Sequence, residues 1–239
     1  MGHTNEPGTA DAPAAPAMHT ARPAADAGRL DSLQRTLRTA AATLRDAEIP
    51  FALAGSLACW TRGGPATDND VDLIVLESEA EHALSALEHA GMTGERPPED
   101  WLLKAYDGQV TVDLIFAPLG VRVTRASIDA AQELTVLAMR MRVLSVEDVL
   151  VSRLLALDAH QLDYTGSLAI ARALREQVDW ERLATRVAVS PFARTFIVLL
   201  GELGIVDLGI VEHGERGGVD AVPATPGPAA LRVRRVTVE

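Results

Sequence analysis

The sequence has 239 residues, of which 48% are hydrophobic and only 4% aromatic, and its formal net charge is −11. This length suits one domain of ordinary size, or one domain with a small helical addition. The acidic balance excludes a general nucleic-acid-coating surface, because such a surface needs many basic side chains. A single cysteine, Cys59, excludes an internal disulfide and agrees with a reducing compartment. Because no apolar run approaches membrane-spanning length and no signal core opens the chain, we expect a cytoplasmic protein without membrane contact.

The chain reads as short apolar strands and helices between two polar ends. Residues 1–28, rich in Ala, Pro, Gly and Thr, predict a disordered leader, and the Gly- and Pro-rich tail predicts a flexible end. Leucines at helical spacing from Leu30 predict a helix that stops at Pro50. Strands are predicted at 51–54, 70–76, 101–106, 109–116 and 121–123, with a hairpin turn at Asp107-Gly108. Helices are predicted at 57–62, 78–90, 126–131, 147–160, 163–176, 179–187 and 191–203.

Three aspartates stand at or inside these apolar strands. Asp70 and Asp72 open one strand at positions i and i+2, so both side chains point to one face. Asp113 lies between Val112 and Leu114, where an unpartnered buried carboxylate is costly. Carboxylate oxygens suit Mg²⁺, and two such ions clamp an in-line attack on phosphorus. We therefore predict a magnesium site at Asp70, Asp72 and Asp113, with Asp113 as a ligand or a base. An exposed edge-strand aspartate is the alternative for Asp113.

Gly55-Ser56 lies directly behind the first strand. A glycine here lets the main chain approach a ligand closely, and the following helix start offers N–H groups that favour phosphate. Ser56 either caps this helix or donates its hydroxyl to a phosphate oxygen. Together with the aspartates, this turn predicts a nucleoside triphosphate site.

The ordered set of Gly55-Ser56, Asp70-x-Asp72 and Asp113 resembles the nucleotidyltransferase superfamily with the DNA polymerase β-like fold. The resemblance covers residues 30–187 and is nearest to minimal bacterial enzymes, namely AbiEii-type toxins and antibiotic nucleotidyltransferases. It implies an α/β (α+β) fold with a small mixed sheet, flanking helices and a C-terminal helical part. The implied organisation is a leader at 1–28, a catalytic domain at 29–125, a helical part at 126–212 and a tail at 213–239.

Further residues are candidates for nucleotide binding. Arg62 and Thr67 lie in a connection that would overhang the triphosphate, although a solvated loop arginine is an equal alternative. Arg153 matches a position that holds a basic residue, often lysine, in AbiEii-type relatives. Arginine keeps the charge there but suits proton transfer poorly. Asp163 matches a further acidic position in these relatives, with a helix N-cap as its alternative.

The resemblance implies transfer of an NMP from an NTP to an acceptor hydroxyl, with release of pyrophosphate. The acceptor stays open. A toxin-like enzyme would act on tRNA, favoured if five arginines form a basic patch: Arg122, Arg125, Arg140, Arg142 and Arg153. An enzyme acting on a small hydroxylated molecule, such as an antibiotic, suits the acidic charge if that molecule is cationic. The third hypothesis is a non-catalytic nucleotide-binding or antitoxin-like protein, and a toxin would have a cognate antitoxin as its partner.

Overall fold

A computed structural model describes residues 23–66 and 70–207. Eight helices in this part of the chain are α1 Pro23–Asp46, α2 Gly55–Thr61, α3 Ala80–His89, α4 Arg125–Ala130, α5 Val146–Leu155, α6 Thr165–Leu174, α7 Trp180–Arg186 and α8 Pro191–Glu202. The seven strands are β1 Phe51–Leu53, β2 Asp70–Val75, β3 Thr93–Glu95, β4 Leu102–Asp107, β5 Val110–Ile115, β6 Gln132–Val136 and β7 Met139–Val143.

The strands form one mixed sheet in the order β3-β4-β5-β2-β1-β7-β6. The pairs β2–β5 and β1–β7 are parallel, whereas the remaining neighbours are antiparallel. Helix α1 packs on β5 and β2, α3 packs on β4 and β5, and α2 packs on β2. The prediction of an α/β fold with a small mixed sheet and flanking helices is thus confirmed.

Side-chain alternation divides the two faces of the central strands. Val71 and Leu73 on β2, like Val112 and Leu114 on β5, are fully buried in the core. The residues between them point to the other face, because successive side chains alternate along a strand. This alternation sends the aspartates of β2 and β5 away from the core.

The C-terminal helices gather around α5, which contacts α2, α6, α7 and α8. Glu147 on α5 is only 2% exposed, and its carboxylate accepts hydrogen bonds from Arg182 and Arg186 on α7. The shortest of these contacts joins Arg182 Nη2 to Glu147 Oε2 at 2.6 Å. Because a buried carboxylate needs paired charge and hydrogen bonds, this cluster fixes α7 against α5.

The sheet extends further along the chain than the sequence predicts. Residues 132–143 form a hairpin, and β7 pairs with β1 at Leu53↔Val143. Leu137 and Ala138 form its turn and have positive φ angles of 46° and 67°. Such turns usually contain Gly or Asn, and because neither is present here the sequence did not indicate a turn. The boundary of the catalytic domain at residue 125 therefore cuts through the sheet, and the helical part begins only after β7.

Several element boundaries also differ from the prediction. Helix α1 begins at Pro23, so the end of the proposed leader is helical. The loop joining β4 to β5 is Gly108-Gln109 rather than Asp107-Gly108. Residues 121–123 form no strand, although two of them pack against the core. Residues 1–22, 67–69 and 208–239 lie outside the described ranges, and with them most of the proposed leader and the whole tail at 213–239.

Candidate active site

Asp72 and Asp113 face each other across the centre of the sheet. They are register partners on the adjacent parallel strands β2 and β5. Each stands between buried apolar residues, and both side chains are half-buried. Asp70 lies two residues earlier on β2, on the same face but exposed, opposite Thr111. The structure therefore brings the three predicted aspartates to one region of one face.

Gly55 carries the main chain right up to the Asp72 carboxylate. Its φ angle is +59°, and a Cβ atom added here would stand 1.7 Å from Asp72 Oδ2. The preceding Ala54 N–H donates to the Asp72 main-chain oxygen at 2.8 Å. Only glycine meets both requirements, because other residues avoid this φ region and their Cβ would overlap the carboxylate.

The surroundings of Asp72 disfavour its charged form. Its pKa is raised from 3.8 to about 6, chiefly by burial and then by the negative charges of Asp113 and Asp70, while the positive charges of Arg153 and Lys104 oppose this shift. A carboxylate in such surroundings gains from a nearby cation, which would relieve the repulsion. The same feature makes this row of carboxylates a candidate functional site.

Lys104 is a cation that the sequence analysis did not place in this site. It is the register partner of Asp113 on β4, and its Nζ donates to Asp113 Oδ1 at 2.8 Å. Partial burial lowers the pKa of Lys104, but the hydrogen bond to Asp113 and its charge outweigh this, and the net shift is upward. Lys104, Asp113 and Asp72 thus form a row across three adjacent strands.

Arg153 approaches the row from the last turn of α5. Its charge acts on both Asp72 and the buried Cys59. A Cβ atom added at Gly166 would lie 3.1 Å from Arg153 Nη1, so the guanidinium lies against the start of α6. Ser145 caps the N-terminus of α5 by accepting from the Asp148 N–H at 3.1 Å. This helix therefore presents a permanent positive charge to the carboxylates.

The donor set suits Mg²⁺, because carboxylate oxygens are its preferred protein ligands and Asp72 and Asp113 repel each other. Within the described ranges, no three His, Cys, Asp or Glu side chains already converge as a complete metal site. Asp72 and Asp113 face each other directly, whereas Asp70 lies at the exposed end of β2. Holding one ion with all three therefore requires the Asp70 side chain to turn toward the others.

The other predicted nucleotide ligands lie in different settings. Helix α2 begins at Gly55, with Ala54 as its N-cap residue, so Ser56 lies inside the helix and is not the cap. Asp163 Oδ1 accepts from the Thr165 N–H at 2.8 Å, and bonds from the Thr165 side chain and main chain lower the Asp163 pKa. Asp163 is therefore not the N-cap residue, which is Tyr164, but it lies just before the cap and its carboxylate accepts from the first N–H of α6. Thr67 lies outside the described ranges.

Arg62 is used within the fold. Its guanidinium donates to the main-chain oxygens of Val143 and Leu144, both at 3.2 Å, and to Gln132 Oε1 at 2.7 Å. All three of its nitrogens hold the end of α2 to the β6–β7 hairpin. These contacts oppose the expectation that Arg62 neutralises phosphate charge.

Two arginines of the proposed basic patch form ion pairs with acidic side chains. Arg125 pairs with Asp129 at 2.9 Å, and Arg140 pairs with Glu133 at 2.7 Å. Arg142 donates to main-chain oxygens, including that of Ala131 at 3.2 Å. Of this group, Arg153 is the one whose charge acts on the carboxylate row.

No family model and no curated protein matches this sequence. Among solved structures, the solution structure of the antibiotic-resistance factor ANT(2'')-Ia has a TM-score of 0.53 at 14% identity, covering 73% of this chain and 98% of that one. Its crystal structure with adenylyl-2''-tobramycin has a TM-score of 0.53 at 15% identity, covering 68% and 98%. The lincosamide antibiotic adenylyltransferase LnuA, bound to lincomycin, follows at 0.44 and 14%, covering 60% and 97%.

At these low identities the likeness is one of fold alone, and it rests on the two structures with a TM-score of 0.53. In agreement with the order of its glycine and aspartates along the strands, the chain has the nucleotidyltransferase fold.

Proposed function

We propose that this protein is a Mg²⁺-dependent nucleotidyltransferase that moves an NMP from an NTP to an acceptor hydroxyl, releasing pyrophosphate. The observation that carries this proposal is the in-register pair of Asp72 and Asp113 on adjacent parallel strands, with the Gly55 main chain packed against Asp72. A purely structural sheet gains nothing from two facing carboxylates whose charges repel each other.

The nucleotide would bind between the first turn of α2 and the end of α5. The first turn of α2 adjoins the Asp72 carboxylate through Gly55, and the N–H groups at a helix start favour phosphate. Arg153, whose charge acts on Asp72, supplies a permanent cation suited to phosphate oxygens. One or two Mg²⁺ ions, held by Asp72 and Asp113 with Asp70, would supply charge neutralisation during in-line attack on the α-phosphorus.

Asp113 is the proposed proton acceptor for the attacking hydroxyl. One of its two carboxylate oxygens would take the proton, and the Lys104 ammonium, which donates to Oδ1 in this structure, lies beside them. The protein groups around the row then act mainly by positioning the acceptor and the nucleotide, which is where most catalysis of this kind arises.

A small, hydroxylated, cationic acceptor is the favoured substrate. The net charge of −11 attracts cations, and the ion pairs of Arg125 and Arg140 weaken the argument for tRNA. The complex of ANT(2'')-Ia with adenylyl-2''-tobramycin is consistent with this choice, since a related fold there carries a nucleotidylated antibiotic. An antibiotic of the aminoglycoside class is therefore the first acceptor to test.

The experiment is a transfer assay with Mg²⁺ and each α-³²P-labelled NTP. Aminoglycosides, lincosamides, total tRNA and cell lysate are offered separately as acceptors. Native protein and Asp46→Asn, a control at an exposed carboxylate on α1, should transfer label, and Asp113→Asn should not. Label on an aminoglycoside supports the favoured acceptor, and label on tRNA replaces it with the toxin-like alternative. Absence of transfer to any acceptor, with no Mg²⁺-dependent NTP binding, leaves a non-catalytic protein.

A further inference from the structure

Lys104 is the only lysine in the chain, where arginine supplies the other permanent positive charges. The register of the sheet places it beside Asp113, and Asp113 beside Asp72. Gly55 closes this row on the far side of Asp72. One side chain at the end of the row therefore differs in chemistry from every other cationic side chain in the protein.

The ammonium and the Asp113 carboxylate form a close, partly enclosed pair. Nζ lies 2.8 Å from Oδ1, with 28% of the lysine side chain and 18% of the aspartate side chain exposed. An ammonium is a compact point charge on a flexible stem, unlike the rigid, planar guanidinium of arginine. It therefore satisfies one carboxylate oxygen and can leave it by rotation of its own side chain.

We infer that Lys104 is an internal counter-cation, and that its ammonium and a divalent cation compete for the Asp113 carboxylate. The inference rests on the proposed function only for the identity of that cation as Mg²⁺. Both partners use oxygen lone pairs of Asp113, and two positive charges a few ångströms apart repel each other. Binding of the divalent cation between Asp72 and Asp113 thus releases Lys104 from Oδ1. The freed ammonium remains at the edge of the row, where a triphosphate can bind it.

Competition makes two affinities move in opposite directions when the lysine is removed. In Lys104→Met, the affinity for Mn²⁺, measured by electron paramagnetic resonance without nucleotide, should rise at least about fivefold. This is the factor expected when the repulsion between two unit positive charges about 4 Å apart in water is removed. Affinity for a non-hydrolysable NTP analogue should fall at the same time, because the released ammonium is missing. A merely structural role of Lys104 would weaken both. Arg153→Met is the control for loss of positive charge alone, and its effect on Mn²⁺ binding should be the smaller one.

The single lysine also permits a direct spectroscopic test. Protein labelled with ¹³Cε,¹⁵Nζ-lysine gives one lysine side-chain signal, which belongs to Lys104. On titration with Mg²⁺, this signal should shift with the dissociation constant of cation binding. In Asp113→Asn it should start near the released position and remain there.

An unchanged Mn²⁺ affinity in Lys104→Met, or an unmoved lysine signal at Mg²⁺ saturation, overturns the inference while leaving nucleotidyl transfer intact. Absence of cation binding in every variant also overturns it, because competition requires a bound cation. The proposed function fails by a separate observation, namely the lack of label transfer from any NTP.

Discussion

Asp72→Asn should stabilise the protein while removing its proposed activity. The pKa of Asp72 is raised from 3.8 to about 6, chiefly by burial and then by the charge of Asp113. Each pKa unit of such a shift corresponds to about 1.36 kcal/mol. The charged Asp72 carboxylate therefore costs the folded state up to about 3 kcal/mol at pH 7. An amide of the same shape avoids this cost, because it carries no charge to desolvate.

The pH dependence of this effect has a definite sign. Because the folded-state pKa is raised, the protonated carboxyl favours folding below about pH 4, and this contribution is lost as pH rises through 6. The free energy of unfolding of Asp72→Asn minus that of the native protein should therefore be near zero at pH 4 and largest above pH 7. Urea denaturation of both proteins at pH 4, 5, 6 and 7.5 measures this difference. Saturating Mg²⁺ should reduce this difference in the free energy of unfolding, because the cation stabilises the charged carboxylate of the native protein and not the amide of the variant.

A variant less stable than the native protein at pH 7.5, or a difference independent of pH, would refute this reasoning. Asp46→Asn is the matched control, because that exposed carboxylate at the end of α1 has no comparable surroundings. Its free energy of unfolding should stay within about 0.5 kcal/mol of the native value.

Gly55→Ala should abolish label transfer and cost more stability than Gly108→Ala. Both glycines have φ near +60°, but an added Cβ would contact another group only at Gly55. The difference between the melting temperatures of the two variants therefore measures the steric overlap with Asp72 apart from the backbone strain that both share. The double variant Arg182→Met/Arg186→Met should be clearly less stable than the native protein in urea denaturation, because the buried Glu147 carboxyl loses its ion-pair partners. Glu147→Gln should lose less, since the arginines can turn to solvent, and equal losses would contradict this explanation.

The carboxylate site was predictable because its signal is local. Asp70 and Asp72 share a face through the two-residue period of a strand, and Asp113 interrupts an apolar run at a single position. The order of the strands is a property of the whole sheet and is not written in any one strand. Strongly apolar strands are nevertheless expected at the centre of a sheet, and β2 and β5, which carry the aspartates, are such strands. The facing of Asp72 and Asp113 follows from the parallel pairing of β2 with β5.

The cross-strand partner of Lys104 depends on one residue in a turn. With Asp107-Gly108 as the hairpin loop, the register would place Lys104 opposite Thr111. The observed loop, Gly108-Gln109, moves it opposite Asp113. Because strand partners depend on loop position, a slip of one residue changes every cross-strand pair. Glycine at the first loop position, with φ of +63°, is the signal that favours the observed turn.

The role of Arg62 depends on the β6–β7 hairpin, which the sequence pattern does not predict. Its partners are at the ends of β6 and β7, more than 60 residues along the chain. The turn of that hairpin is formed by Leu137 and Ala138, which carry no turn signal. Without the hairpin, an arginine before Gly63-Gly64 reads as a loop residue near the phosphates.

Nucleotidyl transfer at the Asp72–Asp113 pair is tested most directly by Mg²⁺-dependent pyrophosphate release in the presence of an NTP and the acceptor that the labelling assay identifies. Native protein and Asp46→Asn should release pyrophosphate in equal amount with the nucleotidylated acceptor, and chelation of Mg²⁺ should stop both. Asp72→Asn, folded and at least as stable, should release none. Native-level release by Asp72→Asn would show that the chemistry occurs elsewhere in the protein and would contradict the assignment of this site.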